Sequence, residues 1–378
     1  MIYLDNAATT HLDDEVLNAM ISFLQKEYGN PSAIYELGKT ASLAIEEARK
    51  EVAEVINARP EEIYFTSGGT EADNTAILGV ARVNKSKGRH IITTKIEHKA
   101  VLETCKALEK EGFDITYLDV DEFGLISIND LKEAIRADTI LISIMFANNE
   151  VGTIEPIYEI GKIAKKYGVL FHTDAVQAIG NIRINVEELN IDLLSMSAHK
   201  FYGPKGTGVL YVRKGISFDN LIHGGGQENG KRSGTENVAG IVGTGKAIYK
   251  AYQDFEEKNK KIQGLREYFI KEIESQIPNA VLNGERFKRL PGNVNFSFGT
   301  ITGANLVKKL NEEGICASSG SACSSGFVKP SHVLLAMGLE RNRIETALRI
   351  TIGKYNTKED IEKAIEMIKK YTQSKMEY

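Results

Sequence analysis

The chain has 378 residues, 42% of them hydrophobic and 26% charged, with a net charge of −4. The length exceeds what one hydrophobic core serves, so two domains are expected, and the composition is that of an ordinary globular protein. There is no basic field to hold nucleic acid as a direct partner, no apolar run nears the ~20 residues of a membrane helix, and three cysteines are too few for a disulfide framework.

The first residues, Met1 to Asp5, carry no basic region, apolar core or cleavage site, and do not read as a signal peptide. With unpaired thiols, the expected compartment is the reducing cytoplasm. From about residue 60 to 215, β-branched runs alternate with amphipathic stretches. Strands are predicted at 63–66, 90–94, 115–118, 139–144, 169–172, 191–195 and 208–212, and helices at 71–83, 99–111 and 157–166. This alternation predicts an α/β fold whose mostly parallel sheet is covered on both faces. One long helical stretch, 236–276, leads to a second composition: 293–298 alternates like an antiparallel strand, 348–352 is another strand candidate, and 303–313 and 358–371 read as helices. The expected division is a large domain over 11–256 and a smaller α+β domain made of 1–10 and 257–378.

Two apparent motifs are set aside. Gly240-Ile-Val-Gly-Thr-Gly-Lys-Ala247 resembles a nucleotide P-loop, but Ala247 stands where a magnesium-binding hydroxyl is needed, and Asn237 opens a helix rather than ending a strand. The glycines read as positions of close helix packing. No CxxC or HExxH occurs, and Cys316 and Cys323 have no common zinc spacing, so no metal site is expected.

The informative residues follow predicted strands, where α/β sheets bind ligands. Ser67-Gly-Gly-Thr-Glu71 opens a helix with small residues, as a phosphate cradle requires. Asp174 follows another strand, where a carboxylate also serves as a helix cap, and Lys200 follows the next, in Ser197-Ala-His-Lys200. Cradle, acid and amine together are what pyridoxal phosphate needs: a Schiff-base lysine, and an acid that keeps the pyridine nitrogen protonated.

The segment 197–206, SAHKFYGPKG, resembles the cofactor-lysine motif of the cysteine desulfurases, in the class-V branch of fold-type I pyridoxal-phosphate enzymes. Similar blocks run through nearly the whole chain, at 3–10, 29–32, 66–74, 96–99, 148–150, 223–226, 232–235 and 318–323. The resemblance implies that Lys200 bonds the cofactor, that Asp174 meets its ring nitrogen and Gln177 its ring hydroxyl, and that His98 stacks on the ring and shuttles protons. It implies a phosphate cradle of Gly69, Thr70, Ser197 and His199, completed by Thr235 of a second copy and hence a homodimer. Asn149 and Arg349 match positions at the cofactor and substrate, with Arg349 suited to grip a carboxylate in bidentate fashion.

The same resemblance makes Cys323 the sulfur carrier. It lies in Ser318-Ser-Gly-Ser-Ala-Cys-Ser-Ser-Gly326, without a bulky residue, which favours an exposed mobile loop. Cys105 reads as helix core and Cys316 as strand core. The Ser-Ser-Gly-Ser-Ala-Cys motif is similar to that of the NifS/IscS group. The implied activity is removal of sulfur from L-cysteine, giving L-alanine and a persulfide on Cys323. The implied partners are sulfur acceptors such as an iron–sulfur scaffold or a tRNA-thiolation enzyme, and Cys323 is then a transient ligand of a cluster in a scaffold complex.

Overall fold

β-Branched runs buried at every position form strands only where both faces of a sheet are covered. Such runs dominate the first two thirds of the chain. The computed structural model describes residues 1–319 and 330–373, and Cys323 lies outside them. The chain opens with β1 (Ile2–Tyr3), α1 (Asp14–Gln25) and α2 (Glu36–Val55). It continues through β2 (Ile63–Thr66), α3 (Gly69–Asn84), β3 (His90–Thr94), α4 (Lys99–Lys110), β4 (Asp114–Leu118) and α5 (Ile128–Ala134). Next come β5 (Thr139–Ser143), α6 (Ile157–Tyr167), β6 (Leu170–Asp174), β7 (Leu193–Ser197) and β8 (Gly208–Val212). Among the described residues β2 to β8 make one sheet in the order β2-β8-β7-β6-β5-β3-β4.

Every pairing in that sheet is parallel except those of β8, which runs against both β2 and β7. The connection from β7 to β8 is too short for a crossover helix, so the two strands must be antiparallel. The reversal leaves the carboxyl ends of β2, β3, β5, β6 and β7 at one edge. Ile91, Ile92, Leu141 and Ile142 are completely buried in the sheet, each contributing about 1.5–3 kcal/mol relative to exposure.

α7 (Val238–Gln253) packs on α1 and α2 with its glycines as spacers. A side chain on Gly245 would come within 2.7 Å of the Ala48 backbone, and one on Gly243 within 2.7 Å of Met20. The glycines of the P-loop-like segment therefore serve helix packing, as expected from the sequence. The helix predicted over 236–276 is broken at Asp254, whose backbone (φ −106°, ψ 31°) leaves the helical region before α8 (Phe255–Gln276) begins. The carbonyl of Ala251 freed by this break accepts from Lys258 Nζ at 2.9 Å, and Tyr252 stacks on Phe255 at 5.2 Å.

The remaining elements are β9 (Val281–Leu282), β10 (Asn293–Ser297), α9 (Gly303–Glu312), β11 (Ile315–Cys316), α10 (His332–Ala336), α11 (Arg341–Glu345), β12 (Ala347–Thr351) and α12 (Lys358–Gln373). β10 pairs antiparallel with both β9 and β12. A separate core joins Phe269, Ile273, Phe296, Leu306, Leu348 and Ile365. Leu4 belongs to it, because β1 pairs in parallel with β11.

One buried ion pair fixes the segment between β8 and α7. Arg49 of α2 donates from both terminal nitrogens to Glu228 at 2.9 Å, and Phe65 N donates to the same carboxylate at 2.8 Å. The pair holds Glu228 at a positive φ of 48°, an unfavourable region for a side chain of this size. Glu228→Ala would strip the buried guanidinium of its buried counter-charge and leave it only the half-exposed Glu46, at 3.0 Å from Nε. It is expected to destabilise the protein by about 3 kcal/mol, read from the denaturant midpoint at constant slope.

Candidate active site

Residues that end parallel strands meet where the strands meet, so five connections deliver side chains to one edge of the sheet. After β2, α3 is preceded by Gly68, whose φ of +156° only glycine adopts without strain. No side chain caps this helix, so its first amide N–H groups and its dipole are available to an anion. Ser67, Gly69, Thr70, Ser197, His199 and Lys205 line a hollow there. After β3, His98 caps α4 by accepting from Ala100 N on Nδ1 at 3.1 Å, which places the proton of the neutral ring on Nε2. Burial lowers the His98 pKa, with Lys200 adding to the effect.

Asp174 ends β6. Its carboxylate accepts from Val176 N at 2.9 Å, but this closes a turn and caps no helix, because no helix lies between β6 and β7. Desolvation nevertheless raises its pKa, against the opposing influence of His98 and Lys200. The turn after β7 carries Lys200, whose Nζ donates to Ala7 O and Ala8 O, each at 2.7 Å. Burial, followed by Arg349, brings this amine down to about 8. His199 is pushed down to about 4, first by burial and then by Lys200, and its Nδ1 lies 3.0 Å from Thr9 Oγ1. Gln177 Nε2 donates to Ala7 O at 3.0 Å.

A cavity of about 290 Å³ is lined by Gly69, Thr70, His98, Asn149, Asp174, Gln177, Ser197, His199, Lys200 and Arg349. All ten were singled out from the sequence. Arg349 sits on β12, from the second core. It reaches the cavity by pairing with Asp5 at 2.8 Å and donating to Asn149 O at 3.2 Å, while its buried Nε has no partner among the described residues. Thr235 is exposed and is not part of this lining. Cys105 is fully buried, and burial pushes its thiol up to about 12, whereas Cys316 is half-buried on β11.

The same cavity includes Ala7, Ala8, Asp73, Met145, Ala147 and Val176, to which the sequence reading gave no role. The 3–10 block was recognised only as a block. That its carbonyls would hold Lys200 depends on β1 pairing with β11, which no local pattern reveals.

Residues 2–364 match the family described as Aminotransferase class-V. The cysteine desulfurase IscS of Dictyoglomus turgidum is 54% identical over 369 residues, covering 98% of this chain and 94% of that protein. The chain belongs to the cysteine desulfurases of the class-V aminotransferase family. Among solved structures, a NifS-like protein superposes with a TM-score of 0.93 at 42% identity, covering 98% of both chains. SspA in complex with cysteine gives 0.83 at 38% identity, covering 94% of this chain and all of that one. Class-V enzymes work with pyridoxal phosphate. The fit of the cavity to that group rests on three features: an uncapped helix start, a buried carboxylate without a cationic hydrogen-bond partner, and an amine lowered towards neutrality.

Proposed function

We propose that this enzyme is a cysteine desulfurase that binds pyridoxal phosphate through Lys200 and passes the substrate's sulfur to Cys323. The observation that carries the reading is the single cavity where Lys200, Asp174, His98 and Arg349 meet, in a chain of this family. Pyridoxal phosphate, when bound, supplies the electron sink that weakens bonds at the substrate's carbons. The start of α3, with Ser197 and His199, would hold its phosphate, Asp174 its ring nitrogen, Gln177 its ring hydroxyl and His98 its face, with Asn149 beside it.

Arg349 grips the substrate carboxylate, fixing the thiol end relative to the cavity. Lys200, poised at about 8, takes and returns protons at the substrate's carbons, and the neutral His98 shuttles protons beside it. The thiolate of Cys323 attacks the substrate sulfur. The carbon–sulfur bond breaks, the sulfur stays on Cys323 as a persulfide, and the three-carbon remainder takes up a proton and leaves as alanine.

The reading includes a homodimer in which Thr235 completes the neighbour's phosphate site. Its support is the exposure of Thr235 and of several large apolar side chains: Leu17, Ile21 and Leu24, spaced to share one face of α1, and Tyr28, Ile34, Tyr35 and Leu43. It also includes the division into a large domain, 11–256, and a small domain of 1–10 with 257–378. No described helix is long and apolar enough to cross a membrane. Free thiols at Cys105 and Cys316 fit a cytoplasmic setting. The acceptor of the sulfur is an iron–sulfur scaffold or a tRNA-thiolation enzyme.

The test is to supply cysteine without reductant and follow alanine and protein-bound sulfur. Equal yields of alanine and sulfur are expected, with the adduct on Cys323 alone. Cys323→Ala should bind cofactor and cysteine and then stall. Cys105→Ala should stay active and lose only about 1 kcal/mol of stability. Alanine formation by Cys323→Ala at the wild-type rate, or a requirement for a keto-acid acceptor, would remove the persulfide mechanism.

A further inference from the structure

Behind the Asp174 carboxylate lies a row of polar side chains that the mechanism above does not use. His172 and Asp174 are two residues apart on β6 and therefore face the same side of the sheet. Ser143 of β5 sits opposite His172, and Ser195 of β7 opposite Asp174. The His172 ring is 2.9 Å from Ser143 Oγ on one nitrogen and 3.0 Å from Ser195 Oγ on the other. Above them, on α3, is Asp73, with Oδ1 3.6 Å from His172 Nε2 and no hydrogen-bond partner on that oxygen. Ser143, His172 and Ser195 are completely buried, and Asp73 is 1% exposed although it lines the same cavity as Asp174.

A buried carboxylate needs a cation or several donors, and Asp73 has neither. The groups facing it are His172 and Asp174 from β6, Ser195 from β7 and Glu97 after β3. Burial drives His172 down to about 3, so it is neutral and supplies no charge. Desolvation and then the neighbouring Asp174 raise Asp73 well above the usual carboxylate range, while only Ser195 opposes this. Asp174 differs, because His98 and Lys200 both favour its charged form. Two like carboxyls sharing one dry site do not both ionise, and the one beside the Lys200 ammonium keeps the charge.

We propose that Asp73 is a positioning residue: a neutral carboxylic acid, set over His172 and Ser195, whose protonated state leaves Asp174 as the only one of the two to carry charge on the cavity floor. Use of that charge by the cofactor rests on the reading above, but the protonation states themselves belong to the cofactor-free chain and are tested there.

Infrared difference spectra of the full-length chain, first without and then with pyridoxal phosphate, make the test. At pH 7, wild type minus Asp73→Asn should show the C=O stretch of a protonated acid. A carboxylate band in its place would overturn the proposal. The Asp174 band, identified with Asp174→Asn, should then be titrated in Asp73→Ala without cofactor. Loss of a neutral polar neighbour is expected to move the Asp174 midpoint up by a few tenths to about one unit, and Asp73→Asn should restore it. A downward shift would mean that Asp73 was an anion, and an unmoved midpoint that it merely fills space. Either result ends the proposal, and if Asp73→Ala does not fold, the Asp73→Asn spectrum still decides.

Discussion

Replacing Lys200 by alanine is expected to lower desulfuration by at least about 10³-fold and to leave pyridoxal phosphate that borohydride cannot fix to the chain. Both effects follow from one environment. The ordinary lysine pKa of 10.5 would leave very little free amine at neutral pH, whereas burial brings Lys200 to about 8. Its Nζ is held by two backbone carbonyls, which orient the amine without supplying a counter-charge as close as an ion pair. The same depression has a thermodynamic signature in the cofactor-free protein. Between about 8 and 10.5 the unfolded chain binds more protons at this position than the folded one, so stability rises with pH across that window. Lys200→Ala should flatten that rise in denaturant unfolding. Borohydride reduction of the wild type followed by peptide mapping should place the pyridoxyl group on Lys200. Its appearance on another lysine, such as Lys205, would refute the assignment.

The second large effect is expected for Asp174→Ala, which should bind cofactor yet turn over on the order of 10²-fold more slowly or worse. A carboxylate in a dry site is preorganised to hold positive charge on the ring, and alanine offers no substitute. Stability should respond in the opposite sense. The pKa of Asp174 is raised above 3.8, mainly by desolvation, so the folded chain holds this proton more tightly than the unfolded one. The contribution of this group to stability therefore falls as pH rises from 3.8 towards its folded value. The cofactor-free Asp174→Ala protein should lack that decline and be no less stable than wild type at neutral pH. A variant that loses stability but little activity would mean that Asp174 only closes the turn after β6.

Strands such as Ile63–Thr66 and His90–Thr94 were legible to the residue because their runs are short, β-branched and bounded by polar turns. The residues at their carboxyl ends were legible for the same reason, since chemistry-bearing side chains there have one edge of the sheet to share. Legibility failed where structure depends on distant pairing. Ile2–Tyr3 is too short to announce itself as a strand, and although Cys316 reads as strand core, nothing local pairs Ile315–Cys316 with Ile2–Tyr3. The break at Asp254 was hidden because both flanking segments are strongly helical and the freed carbonyl of Ala251 is satisfied by Lys258, seven residues on. Asp73 read as one more polar position in a helix beginning. Its isolation from any cation is a property of β5, β6 and β7 together, which no window of sequence contains.

The parallel pairing of β1 with β11 imposes an order on the assembly of the molecule. Synthesis from the amino end releases Ile2 and Tyr3 first, but their partners Ile315 and Cys316 emerge more than three hundred residues later. At ~5–20 residues per second, β1 waits roughly 15–60 seconds for its partner strand. The carbonyls of Ala7 and Ala8 that hold Lys200 are for as long anchored on one side only, through Thr9 and Thr10 on His199. The central sheet, whose strands all lie before residue 213, has everything it needs well before then. On the ribosome, therefore, the scaffold for the cofactor is in place before Arg349 and the partner of β1 arrive, and the site is completed only with the last quarter of the chain.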